Sequence, residues 1–159
     1  MKKITALTLL VLALVVPLVF GAGTRAAQAA PPTPASGSFQ DALLANVVTR
    51  SAGPNTIITD TLTTVLSGTF SGTSVLQERY VLRADGSFID HAVETFTGTV
   101  NGVAGTVTEV DVLTGDATSF HGHFVVVSGT GGLANLHGQG TFEGSTITGA
   151  GTYTGQIHQ

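Results

Sequence analysis

The stretch Leu76 to Thr95, LQERYVLRADGSFIDHAVET, decides how the chain is read. Two runs rich in β-branched and aromatic residues flank Asp85-Gly86, a dipeptide suited to a tight hairpin turn. A two-residue loop there sets Ala84 opposite Ser87. Tyr80 then faces His91, and Glu78 faces Val93. One sheet face reads Leu76, Glu78, Tyr80, Leu82 with Ile89, His91, Val93, Thr95. The other carries Arg79 and Arg83 among Asp90 and Glu94. The more apolar face belongs inside, since register fixes which set is buried. Glu78, Tyr80 and His91 are therefore expected together in the interior. A buried carboxylate beside a histidine is an acid/base candidate. The same trio also reads as an internal hydrogen-bonded network. Glu94 is a further candidate, brought inward only by a local bulge. Phe96 and Gly98 point outward in this register.

Turn signals recur along the rest of the chain at Gly53-Pro54-Asn55, Ser71-Gly72, Asn101-Gly102, Gly115-Asp116 and Gly144-Ser145. Between them lie Thr- and Val-rich runs, expected as strands near 41–50, 57–70, 74–83, 88–100, 105–113, 118–127, 138–143 and 146–157. No run keeps a helical apolar period with caps. A meander of about eight strands leaves two open edges unless it closes, so the fold predicted is all-β, a small closed antiparallel barrel. An aromatic residue, any residue and then glycine recurs at Phe70, Phe96, Phe120, Phe142 and Tyr153. Residues two apart share a strand face, so each ring lies beside a bare backbone position. A curved sheet needs such glycines, and a neighbouring ring covers the gap.

The N-terminus reads as an export signal. Lys2 and Lys3 precede an apolar run to Phe20, and Ala27-Gln28-Ala29 offers a cleavage site. The expected division is a signal peptide over 1–29, a Pro-rich linker over 30–37 and the barrel over 38–159. The protein is then secreted or periplasmic, with no stable membrane insertion after cleavage. The mature part keeps Arg50, Arg79 and Arg83 but no lysine, and three arginines against ten carboxylates leave a net charge of −7. Such a chain cannot neutralise a phosphate backbone, which excludes nucleic acid as a partner. Without lysine or cysteine, Schiff-base and thiol catalysis are excluded, as are disulfides.

The segment Phe124 to Phe142, FVVVSGTGGLANLHGQGTF, resembles a bacterial family of unknown function grouped with the allene oxide cyclase-like barrels. The features carrying the likeness are Val125–Val127, the Gly129-Thr130-Gly131 turn, a helical knob at Leu133–Leu136, and Gly138-Gln139-Gly140-Thr141-Phe142. Val93 to Gly102 also looks like that family. The resemblance spans about the last two-thirds of the mature chain, and implies an eight-stranded barrel with a small apolar lumen. It implies no established activity, and the catalytic cysteine of the plant cyclases has no counterpart here. Read from the residues alone, Leu133 and Leu136 lie three apart and plug one barrel end. A phosphate cradle at Gly129–Gly132 needs a following helix and a basic residue, and the sequence offers neither. No cofactor is expected.

His121 and His123 share a strand face turned to solvent, because Phe120, Phe124 and Val126 take the other parity. With Val110 and Val112 read as the core face of the preceding strand, Glu109 and Asp111 fall outside beside the two histidines. Two histidines with carboxylates match a weak zinc site, or a solvated cross-strand charge patch. The leading functional expectation is an exported barrel that binds a small apolar ligand in its lumen. The alternatives are a cyclase or isomerase acting on a small apolar substrate there, and a structural surface protein.

Overall fold

The computed structural model describes residues 31–159. Its strands are β1 (Thr33–Ala52), β2 (Asn55–Gly68), β3 (Phe70–Leu82), β4 (Phe88–Val100), β5 (Val103–Gly115), β6 (Phe120–Gly131), β7 (His137–Gly144) and β8 (Ala150–His158). Each pairs antiparallel with its successor, and β1 pairs with β8 to close an eight-stranded barrel. The signal-peptide reading, residues 1–29, lies outside the described residues. The linker reading over 30–37 is corrected, because β1 begins at Thr33 and its Thr33–Gly37 segment pairs with Ile157–Tyr153 of β8. Proline near a strand's start loses only one donor, and Ala35 is small enough to be buried at the seam.

The turns mostly fall where the sequence puts them, with two shifts. Ser71-Gly72 lies inside β3, and the chain reverses at Gly68 instead, at φ +107°. The shift at Asp85-Gly86 matters more. Only Gly86 in that loop has a positive φ, +84°. Arg83 N–H donates to the Ser87 carbonyl at 2.8 Å, and Gly86 N–H donates to the Arg83 carbonyl at 3.0 Å. The loop is therefore three residues long, Ala84-Asp85-Gly86, and closes on a left-handed glycine. Asp85 accepts from the Ser87 N–H and fixes the loop. Leu82 consequently faces Phe88, Tyr80 faces Asp90, and Glu78 faces Ala92. The β3–β4 register is one residue away from the two-residue reading, and all side chains of β4 swap faces.

The interior divides along the barrel axis. At the end that carries Thr33 and His158, Phe70, Phe96, Val100, Val107, Phe124, Tyr153 and Ile157 form a packed core with Leu133 and Leu136. Those two leucines, 0 % and 2 % exposed, plug the opening. They sit on consecutive tight turns rather than a helix, with Leu136 N–H bonded to the Leu133 carbonyl at 2.9 Å. Rings occupy the space that glycines leave. The paired Gly72 and Gly98 lie under Phe96, and the paired Gly140 and Gly155 lie under Phe124. A β-carbon at Gly98 would come within 2.7 Å of the Phe96 ring, so only glycine fits there. The aromatic–glycine repeat thus works by ring-over-backbone packing inside the barrel. Among the described residues there is no helix.

Candidate functional site: an acid-lined lumen

The other half of the lumen is acidic. Alternation along each strand turns Asp41 (β1), Asp60 (β2), Glu78 (β3), Asp90 and Glu94 (β4), and Glu109 and Asp111 (β5) inward. Cross-strand pairing stacks them into layers. Asp60 faces Glu78, Glu78 faces Ala92, and Ala92 faces Asp111. In the next layer Leu76 faces Glu94, which directly faces Glu109. Of the ten carboxylates in the sequence, only Asp85, Asp116 and Glu143 are exposed, so negative charge is gathered inside rather than spread over the surface. Arg50, Arg79, Arg83, His91, His121, His123 and His137 are all exposed. His158 lies on the outward parity of β8, stacked on His137 with ring centroids 5.5 Å apart. Among the described residues no basic side chain faces these acids.

A cavity of about 90 Å³ adjoins them. Phe39, Phe120, Phe142 and Leu62 line its walls, Phe70, Phe124 and Tyr153 form its apolar floor, and Asp41, Glu94, Glu109 and Asp111 supply its polar side. Phe70 N–H donates to the Tyr153 hydroxyl oxygen at 2.8 Å, which locks that ring in place. Asp41 accepts from the Thr64 hydroxyl at 3.0 Å. Glu109 Oε1 and Asp111 Oδ1 are buried without a hydrogen-bond partner among the described residues, whereas Asp60 shares a side-chain hydrogen bond with Glu78. Oxygen atoms from Glu94, Glu109 and Asp111 converge to within 4.8 Å of one another.

Burial without counter-charge raises the affinity of these groups for protons. Burial, then the charges of Glu94 and Glu109, pushes Asp111 up to about 10. Burial drives Glu109 well above the usual carboxylate range, with the Glu94 charge adding to it. Glu78 is pushed up to about 9 by burial and then by the Asp90 charge. Burial raises Asp90 to about 6. Glu78 and Asp111 therefore hold their protons at neutral pH unless a cation replaces them.

The sequence candidates separate accordingly. Glu78 and Tyr80 face the lumen, and Tyr80 packs on Phe88 with centroids 5.9 Å apart. His91 is on the outer surface beside Arg79, since the three-residue loop moves it there. Asp90 takes the place opposite Tyr80 that the two-residue loop gives to His91. Glu94 is inward with no bulge on either side of β4, because the whole strand is shifted. The zinc patch is dispersed. His121 and His123 are exposed, opposite Thr114 and Val112, whereas Glu109 and Asp111 are 7 % and 2 % exposed inside the barrel. Val107 and Leu113 share their parity and are buried, while Val110 is on the surface. Sequence reasoning thus missed Asp41, Asp60 and Asp90, and put Glu109 and Asp111 on the wrong face. The signal that finds β4 is Phe96-Thr97-Gly98. If its ring and glycine belong inside, so do Asp90 and Glu94.

A model of a protein family of unknown function, DUF3224, matches residues 35–154, nearly the whole barrel. The chain belongs to the DUF3224 family. A crystal structure of a DUF3224 protein of unknown function from Shewanella oneidensis is 20 % identical over 80 % of this chain and 96 % of that one, with a TM-score of 0.63. At that identity the likeness shows a shared fold. The comparison with curated proteins gave no match.

Proposed function

We propose that this DUF3224 chain is an exported barrel that binds a small, mainly apolar molecule in its lumen. The observation that carries this reading is the ring-walled cavity with unpartnered carboxyl oxygens turned into it. Protein interiors are ordinarily packed without such spaces, and a natural pocket combines apolar walls with a few convergent polar groups. The volume limits the ligand. A cavity of about 150 Å³ takes benzene, so about 90 Å³ accepts a molecule of roughly four non-hydrogen atoms. Export places such a binder outside the cytoplasm, and the basic, apolar and Ala-Gln-Ala pattern of residues 1–29 supports it. A cyclase or isomerase working in the same lumen is the second reading. It is favoured by Glu78, an inward acid beside Tyr80 that keeps its proton at neutral pH and is therefore able to act as a general acid.

Native mass spectrometry of the chain purified from its host tests the binding reading. A stoichiometric small adduct is expected on the wild type. Leu76→Phe, which fills the cavity from its wall, removes the adduct while the β-rich circular dichroism spectrum persists. Wild-type protein that flies without any adduct, and whose melting is unmoved by small alcohols and ketones, overturns the reading.

A further inference from the structure

Glu94, Glu109 and Asp111 come from two adjacent strands and meet at one point on the cavity wall. Glu94 and Glu109 are direct cross-strand neighbours, and like charges in that position repel. Three independent features make this more than an acidic cluster. The ligand oxygens lie within 4.8 Å of one another, and oxygens sharing one hard cation are at most about 4–5 Å apart. Glu109 Oε1 belongs to a side chain more than nine-tenths buried and has no protein partner among the described residues, while Asp111 reaches Glu94 by a side-chain hydrogen bond. The adjoining cavity of about 90 Å³ has room for several waters to complete a coordination shell.

We infer that Glu94, Glu109 and Asp111 form a binding site for a hard divalent cation of the magnesium, manganese or calcium class. Each residue gives one carboxylate oxygen, and waters in the cavity supply the remaining positions. An all-oxygen donor set selects hard ions over zinc or copper, which favour nitrogen and sulfur. The site is unrelated to the outer histidines, and it requires no organic ligand in the lumen. A bound cation joins β4 to β5 and turns the repulsion between Glu94 and Glu109 into shared attraction.

The chain has two tyrosines and no tryptophan, and Tyr153 lines the same cavity as the trio. Terbium, which takes oxygen sites, is therefore expected to luminesce when tyrosine is excited. Calorimetry with manganese and calcium at about pH 8 gives the affinity directly. Glu109→Gln and Asp111→Asn are each expected to weaken manganese binding by about tenfold or more while the barrel stays folded, since neutral amides relieve the repulsion. Tyr153→Phe is expected to lose more than half of the terbium signal and keep calorimetric binding. His123→Ala is expected to change neither. The proposal is overturned if none of the ions binds at millimolar concentration. It is also overturned if binding survives undiminished in both carboxylate variants. An organic adduct and the coordinating waters would share one cavity, so the calorimetry uses adduct-free protein and its outcome then bears on the cation site alone.

Discussion

The two halves of the lumen are built by the same strands on opposite principles. At the plugged end, inward positions alternate between large rings and bare glycines, and Phe70 meets Phe96, Tyr153 and Phe124 edge-on with centroids 5.4, 5.7 and 6.4 Å apart. A few residues further along β3, β4 and β5 the inward positions become Glu78, Asp90, Glu94, Glu109 and Asp111, with a cavity between them and the rings. The contrast teaches that the plugged half supplies the stability and the acidic half spends some of it. Placing like charges inside is tolerated where function requires it and other parts of the fold compensate.

The largest effect is expected in the packed half. Phe96 is 1 % exposed and covers Gly72 and Gly98. Phe96→Ala should destabilise the barrel by about 3–5 kcal/mol in urea unfolding, by opening a void that neighbouring glycines cannot fill. A loss under about 1 kcal/mol would mean that the plugged half is not the stabilising one.

The acidic half should respond with the opposite sign. Glu78 is raised from 4.5 to about 9 in the folded chain. Its raised value means the proton is held more tightly in the folded than in the unfolded state. Stability from this group is complete below about pH 4.5 and is lost as pH rises towards 9. Glu78→Gln should therefore stabilise the protein near pH 8, by about 1–2 kcal/mol after allowing for solvent screening, and have little effect near pH 4. Thermal melts across that range check it. A variant that melts below wild type at pH 8 breaks the contrast between the halves.

The smallest effect belongs to the outer surface. His91 is exposed beside Arg79. His91→Ala should shift stability by no more than about 0.5 kcal/mol. A loss of 2 kcal/mol or more in the same urea titration would return His91 to the interior and bring back the two-residue turn.

The barrel itself was legible because turn chemistry and β-branched runs are local signals. The aromatic–glycine repeat also announced curvature correctly. The acidic site was harder to read, since it depends on register, and register hung on one loop. Asp85-Gly86 fits both a two-residue turn, with both residues at positive φ, and the three-residue turn observed, where Gly86 alone is left-handed. No nearby residue separates the two. Phe96 and Gly98 do, by demanding the inward face of β4. On β5 the misleading pair was Val110 and Val112. Valine is as much a strand former as a core residue, and 39 % of Val110 is exposed to solvent. A search for hydrophobic faces does not look for a lumen that buries acids and leaves valines outside.

The closure of β1 on β8 has a consequence for how the chain reaches this state. Seven of the eight seams join strands adjacent in sequence and form as local hairpins. The last brings Thr33 to Ile157, with the Thr33 hydroxyl donating to the Ile157 carbonyl across 124 residues. Closing it costs the most loop entropy of any seam, because its two strands are the farthest apart in sequence. Were it open, β1 and β8 would be two unpaired edges, and the cavity would have a gap in its wall between Phe39 and Tyr153. That one seam is therefore what keeps the sheet from offering edges to another copy.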